Sequence, residues 1–168
     1  MVCRNAEGWL EQAVIPEGKT RRVALRLTTL AKRMCGLDRQ AAGSTNRASL
    51  THEYWKHFYA ERFRREGYAV EVEAPCSRGF VDVLAKKGQE SIGIEIETGK
   101  SDVVANVKRC LRSGFNRVIV VATDEQAFRR IERSLTLRGL LIPGKVRVVM
   151  GKDDLGTWTE SANGRVSR

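Results

Sequence analysis

The chain has 168 residues, 42% of them hydrophobic, which suffices for one domain of ordinary size with its own core and a small appendage. Its formal net charge of +10 favours a polyanionic partner, and nucleic acid fits better than a membrane because no apolar run is long enough to span a bilayer. Cys3, Cys35, Cys76 and Cys110 are scattered without a Cys-x-x-Cys pair, so neither a zinc site nor a disulfide framework is indicated. We therefore expect a cytoplasmic protein that binds a polyanion and has no membrane span.

The first 47 residues are predicted to form a basic arm. Strands at 9–15 and 22–27 flank a polar turn at 16–19, and a helix is predicted to begin directly after the second strand. Residues 36–47 are rich in Gly, Ser, Thr and Asn, which is typical of a linker. The arm is therefore expected to be separate from the main domain.

This hairpin and its helix resemble the wing and final helix of a winged-helix DNA-binding domain. The resemblance implies that Lys19, Arg21 and Arg22 contact phosphates as wing residues do. The helix-turn-helix of such domains is missing upstream. A simple hairpin arm is therefore the alternative interpretation.

A strong helix is predicted over 50–66. Tyr54, Phe58 and Glu61 recur at helical spacing, which puts an acid on the same stripe as two aromatic residues and predicts that Glu61 faces a sheet. The alternative is a surface ion pair between Glu61 and Arg65 four residues on. An acid on a buried face would point to a functional role.

An apolar hairpin follows, with strands at 80–85 and 92–96 and a polar loop between them. Side chains alternate along a strand, so Glu95 and Glu97 share a face, and Asp82 on the neighbouring strand can lie beside them. Buried carboxylates repel one another and lose hydration, and a divalent cation would relieve both costs. The alternative is that the strands lie at a sheet edge and the acids face solvent.

The pattern of Asp82, a gap of a dozen residues, and then Glu95-Ile96-Glu97 resembles the PD-(D/E)xK nuclease superfamily of restriction enzymes, junction resolvases and RecB-type nucleases. Asp82 matches the motif aspartate and Glu95 its second acid. Glu97 stands where the motif lysine is usual, as in some restriction enzymes, and Val81 replaces the proline. A Thr-Gly pair before Lys100 is similar to RecB-like members, and Lys100 could supply the missing positive charge.

The remaining elements agree in order with this superfamily. The pattern predicts further strands and helices at 68–74, 103–113, 117–123, 125–137 and 145–150. The order is helix, three-strand meander, helix, strand, helix, strand, and the strand at 117–123 is expected to be the central parallel strand. The fold class is therefore α/β, a restriction-endonuclease-like core with a mixed sheet flanked by helices over 48–152, followed by a polar tail at 153–168.

The resemblance implies a metal-dependent DNA endonuclease. Asp82 and Glu95 would hold Mg²⁺ or Mn²⁺, Glu97 and Glu61 would bind a second ion or orient the attacking water, and Lys100 would stabilise negative charge. The residues expected to contact DNA are Lys19, Arg21, Arg22, His52, Asn106 and Lys108.

A second hypothesis is a nuclease-fold module that binds DNA, has lost catalysis with the lysine, and acts with a partner. The partner in either case could be a separate ATPase or a second copy of the chain. Cleavage of DNA with Mg²⁺ or Mn²⁺ distinguishes the two hypotheses.

Overall fold

The computed structural model describes residues 2–4, 10–17, 20–28 and 49–151. The chain forms two compact units, Met1–Tyr54 and Trp55–Arg168. Among the described helices, none is both long enough and apolar enough to cross a membrane.

The first unit contains a three-stranded antiparallel sheet in the order β1 (Val2–Arg4), β2 (Leu10–Glu17) and β3 (Thr20–Leu27). The two predicted strands of the arm are present and longer than expected, whereas β1 was not predicted. Ala13 and Ile15 of β2 are buried, and the alternation of side chains puts both on one face.

A cross-strand ion pair lies between β2 and β3. Glu11 and Arg26 are directly opposite in the register, and Arg26 Nη2 lies 2.6 Å from Glu11 Oε2. Opposite charges at such positions favour one register. The helix predicted after β3, Lys19, the linker at 36–47 and the tail at 153–168 lie outside the described residues.

A five-stranded mixed sheet forms the centre of the second unit, in the order β4-β5-β6-β7-β8. β5 is antiparallel to β4 and β6, while β7 is parallel to β6 and β8. The predicted α/β class with a mixed sheet flanked by helices is confirmed. The strand predicted at 117–123, β7, lies between β6 and β8 and is parallel to both, as expected for the central parallel strand, while β6 is the middle strand of all five. The elements are α1 (Leu50–Arg65), β4 (Ala69–Cys76), β5 (Gly79–Lys87), β6 (Glu90–Glu97), α2 (Val103–Arg112), β7 (Arg117–Ala122), α3 (Glu125–Leu137) and β8 (Val146–Met150).

Helices α2 and α3 pack their apolar stripes in one core cluster with the sheet. Val107 of α2 and Ile131 and Leu135 of α3 are buried there with residues of β7. Asp102 caps α2 and Asp124 caps α3, each side chain accepting from a backbone N–H three residues on. Capped amphipathic helices have sequence signals at both ends, which is why their predicted and observed bounds nearly coincide.

Helix α1 is tied to the chain after β8. Its buried face carries Trp55, Tyr59 and Phe63. The Tyr59 hydroxyl donates to the Gly151 carbonyl at 2.6 Å. This hydrogen bond joins the buried face of α1 to the residue that follows β8.

Candidate active site

Strands β5 and β6 bring the predicted acids together. Glu95 and Glu97 lie on β6 and are both buried, with relative exposures of 3% and 1%. Both accept hydrogen bonds from side chains of α2, so they share the face that this helix covers. The alternative of acids on a solvated face does not hold for this pair, and their charge has to be compensated inside the protein.

The hydrogen-bonded ladder is interrupted at Asp82. Val83 pairs with Ile94, and the same register would put Asp82 opposite Glu95, but the recorded pairing stops at Val83. The Ile96 N–H instead donates to Asp82 Oδ2 at 2.7 Å. A side-chain carboxylate thus takes over a backbone hydrogen bond at the point where the two acids meet.

Glu95 carries the most perturbed carboxyl group of the site. Its Oε1 accepts from Arg109 Nη2 at 3.1 Å and from Cys110 Sγ at 3.2 Å. Burial, and then the charge of Asp82, raise the pKa of Glu95 to about 7, against the lowering effects of the Cys110 hydrogen bond and Arg109. Near neutral pH this carboxyl group is therefore poised between its two protonation states.

Cys110 acts as a structural donor in this arrangement. It is fully buried, and burial followed by the neighbouring Glu95 raises the pKa of its thiol. A thiol in these surroundings stays protonated, and it is a poor nucleophile. Its proton is therefore retained for the hydrogen bond to Glu95.

Glu97 is engaged by helix α2 and the residues before it. Asn106 Nδ2 donates to Glu97 Oε1 at 2.7 Å, and the Ser101 hydroxyl donates to Glu97 Oε2. The expectation that Asn106 lies near the acids is confirmed. Both oxygens of Glu97 accept protein hydrogen bonds, which makes this residue an anchor for α2, and its role as a metal ligand stays a prediction.

Replacing Asn106 by alanine is expected to destabilise the protein by about 1–3 kcal/mol, because the buried Glu97 carboxylate loses a donor. Urea unfolding measures the change. Lys108→Ala on the same helix is the control, since Lys108 is exposed and should stay within about 0.5 kcal/mol of the wild type. Equal losses in both variants would contradict the anchoring role.

The chemistry of Asp82 and Glu95 fits a hard divalent cation. Carboxylate oxygens are the ligands that Mg²⁺ prefers, and one or two of them suffice when water or phosphate completes the shell. Two acids close enough for one to raise the pKa of the other would gain from a cation between them. Over the described ranges, no group of three or more His, Cys, Asp or Glu residues is arranged to hold a metal ion.

Glu61 does not face the sheet, so its predicted orientation is wrong. Its side chain is 57% exposed and pairs with Arg64 at 2.5 Å, one position before the expected partner Arg65. The buried stripe of α1 runs through Tyr59 and Phe63 and is rotated away from the predicted one. Each position turns a helix by about 100°, so an error of one residue in the phase of a stripe moves a side chain to solvent.

The other predicted site residues are more exposed to solvent than the buried Glu95 and Glu97. Lys100 and Lys108 are exposed, and Arg21 and Arg22 are exposed at the start of β3. His52 is partly buried in the first turn of α1, where its backbone N–H donates to Ser49 Oγ at 3.2 Å. The roles of Arg21, Arg22, His52 and Lys108 in DNA contact, and of Lys100 in stabilising negative charge, stay predictions.

The sequence prediction missed an ion pair between α1 and β4. Lys56 has a side chain only 3% exposed, and its Nζ lies 2.7 Å from Glu73 Oε1. Glu73 has a φ of +53° within a strand, a left-handed conformation that costs a glutamate on the order of 1 kcal/mol. The signal for Lys56 was its spacing of three, four and seven residues from Tyr59, Ala60 and Phe63, which places it on the buried stripe.

No family model, curated protein or solved structure matches this chain.

Proposed function

We propose that the chain is a metal-dependent DNA endonuclease that hydrolyses phosphodiester bonds. The observation that carries the proposal is the buried Glu95 with the partly buried Asp82 beside it at the interrupted hairpin, where the pKa of Glu95 is raised to about 7 by burial and then by Asp82. A buried carboxyl group whose pKa is raised by burial and by a second carboxylate is a candidate functional site.

The order of elements supports the same proposal. An α1-β4-β5-β6-α2-β7 succession, with the acids on two adjacent strands and a polar residue of the next helix near them, is what the PD-(D/E)xK resemblance implies, and here that residue, Asn106, donates to Glu97. A fold alone does not imply a function, so the acids carry the argument and the order of elements adds to it.

Each residue of the site has a distinct role in this proposal. Asp82 and Glu95 would hold Mg²⁺ or Mn²⁺, which when bound polarises a phosphate oxygen and lowers the pKa of a water molecule. Arg109 and Cys110 orient the Glu95 carboxylate, and Glu97 holds α2 in place through Asn106. Exposed Lys100, three residues after Glu97, would offer positive charge to the phosphate.

Incubation of supercoiled plasmid with the full chain tests the proposal. We expect nicked or linear DNA with Mg²⁺ or Mn²⁺ and intact plasmid with EDTA. Binding measured by fluorescence anisotropy on the same DNA runs in parallel. If the chain binds DNA and leaves it intact with either metal, the non-catalytic DNA-binding module is the better description.

The basic arm gives a prediction about affinity. Arg21 and Arg22 are exposed on β3, and the net charge of +10 favours a polyanion. If both side chains neutralise phosphates, Arg21→Ala/Arg22→Ala should reduce the slope of log K against log salt by about 2. Anisotropy titrations at several salt concentrations measure this slope. Arg129→Ala/Arg133→Ala, on the exposed side of α3, is the control, and an equal reduction there would argue against a specific role for the arm.

A further inference from the structure

The pairing between strands stops at one row of the sheet. The β4–β5 register pairs Val72 with Val83 and Ala74 with Val81, and it omits the pair between Glu73 and Asp82. The β5–β6 pairing ends at Val83 and Ile94, so the next pair, Asp82 with Glu95, is also missing. Asp82 is therefore the residue at which β5 leaves the regular ladder on both of its sides.

The alternation of side chains also changes at this point. Val81 and Leu84 belong to the same core cluster beneath α2 and α3. Side chains alternate between faces along a regular strand, so residues three apart should lie on opposite faces. The phase of β5 thus shifts between Val81 and Leu84, and the shift contains Asp82.

Glu73 has the unusual backbone conformation of this row. Its φ of +53° lies in the left-handed region, which residues other than glycine and asparagine seldom adopt within a strand. Its side chain reaches Lys56 of α1 at 2.7 Å. The Lys56 side chain is only 3% exposed, so leaving its charge unpaired would cost more free energy than the left-handed backbone of Glu73 does.

We infer that Lys56 and Glu73 are positioning residues for the site. The ion pair holds Glu73 in its left-handed conformation, and this conformation keeps β4 and β5 from closing the ladder at Asp82. At this irregular point of β5 the Asp82 carboxylate can reach the Ile96 N–H beside Glu95. The expectation that the site binds a metal rests on the proposed function, whereas the hydrogen bond from the Ile96 N–H to Asp82 is independent of it.

The test compares two variants in the full chain. Lys56→Met removes the buried cation and leaves Glu73, which is 44% exposed, in contact with water. Without the Lys56 ammonium, Glu73 should relax toward an extended conformation, and we expect Mn²⁺ affinity to fall about 10-fold or more, as for outer-shell partners of metal ligands. Protection of the Ile96 amide from hydrogen exchange should fall as well.

Lys56→Met/Glu73→Gly provides the rescue. Glycine adopts a φ of +53° without strain, so the double variant should recover Mn²⁺ affinity and Ile96 protection even though it lacks the ion pair. A merely stabilising pair would instead make the double variant no better than Lys56→Met. Arg64→Met, which breaks the exposed pair with Glu61 on the same helix, is the matched control and should change neither readout.

The outcomes separate the two claims. If Lys56→Met keeps wild-type Mn²⁺ affinity and Ile96 protection, or if it loses them and the double variant does not recover, the positioning role is overturned. If Lys56→Met cannot be obtained folded, Lys56→Met/Glu73→Ala replaces it: alanine resists a φ of +53°, so its Ile96 amide should exchange faster than that of Lys56→Met/Glu73→Gly, and equal exchange rates would overturn the positioning role. If the wild type binds no Mn²⁺ but the Ile96 amide follows the expected pattern, the proposed function fails and the positioning of Asp82 stands.

Discussion

Replacing Asp82 by alanine is expected to abolish metal-dependent cleavage and to weaken Mn²⁺ binding. The change removes one of the two carboxylates proposed to hold the ion, and it also removes the acceptor of the Ile96 N–H. Loss of that hydrogen bond should destabilise the protein by about 1–3 kcal/mol, and relief of the repulsion with Glu95 should offset part of this loss. The plasmid assay and a Mn²⁺ titration measure the two effects.

Asp82→Asn separates the metal ligand from the hydrogen bond. Asparagine keeps an acceptor oxygen for the Ile96 N–H and lacks the charge, so folding should survive while cleavage is lost. Glu61→Gln serves as the control because Glu61 is 57% exposed and pairs with Arg64, and it should cleave like the wild type. Equal cleavage and equal Mn²⁺ titrations in the wild type and Asp82→Ala would contradict the endonuclease proposal.

The metal-free protein is expected to lose stability as the pH rises from about 4.5 to about 7. The pKa of Glu95 is raised from 4.5 to about 7, first by burial and then by the charge of Asp82. In this window the folded state binds more protons than the unfolded state, so the free energy of unfolding falls with rising pH. At 1.36 kcal/mol per unit, the shift corresponds to about 3 kcal/mol, fully lost above the folded pKa.

Glu95→Gln should remove this pH dependence. The variant cannot ionise at position 95, so above pH 7 it should be more stable than the wild type by up to about 3 kcal/mol in EDTA. Urea unfolding between pH 4.5 and 8 measures the difference. Glu71→Gln, an exposed position on β4, is expected to keep the wild-type slope. A Glu95→Gln slope equal to that of the wild type would show that another group causes the dependence.

Much of the fold was predictable because its signals are local. The bounds of α3 were predicted as observed, since Asp124 supplies a cap and the apolar stripe of Ile131 and Leu135 repeats at helical spacing. The hairpin and the shared face of Glu95 and Glu97 followed from alternation along the strand. The position of Asn106 near the acids followed from the resemblance, and the structure adds that its amide donates to Glu97.

The buried face of α1 was harder to predict because the aromatic residues of this helix lie on several of its sides. Tyr54 and Phe58 suggested a stripe that included Glu61, whereas the structure buries Trp55 and Tyr59 and exposes Glu61. When apolar residues point in several directions, spacing does not define one buried face, and the packing partner selects it. Glu61 was therefore assigned to the wrong side.

The sequence alone determined the order of the elements from α1 to β8, the amphipathic helices and the presence of carboxylates within an apolar hairpin. Only the tertiary structure decided how those carboxylates are held. The interrupted ladder at Asp82, the left-handed Glu73 and its pair with Lys56 join residues of three separate elements. Such contacts arise when α1 packs next to the sheet, and their energies depend on burial and distance, which no local pattern of residues encodes.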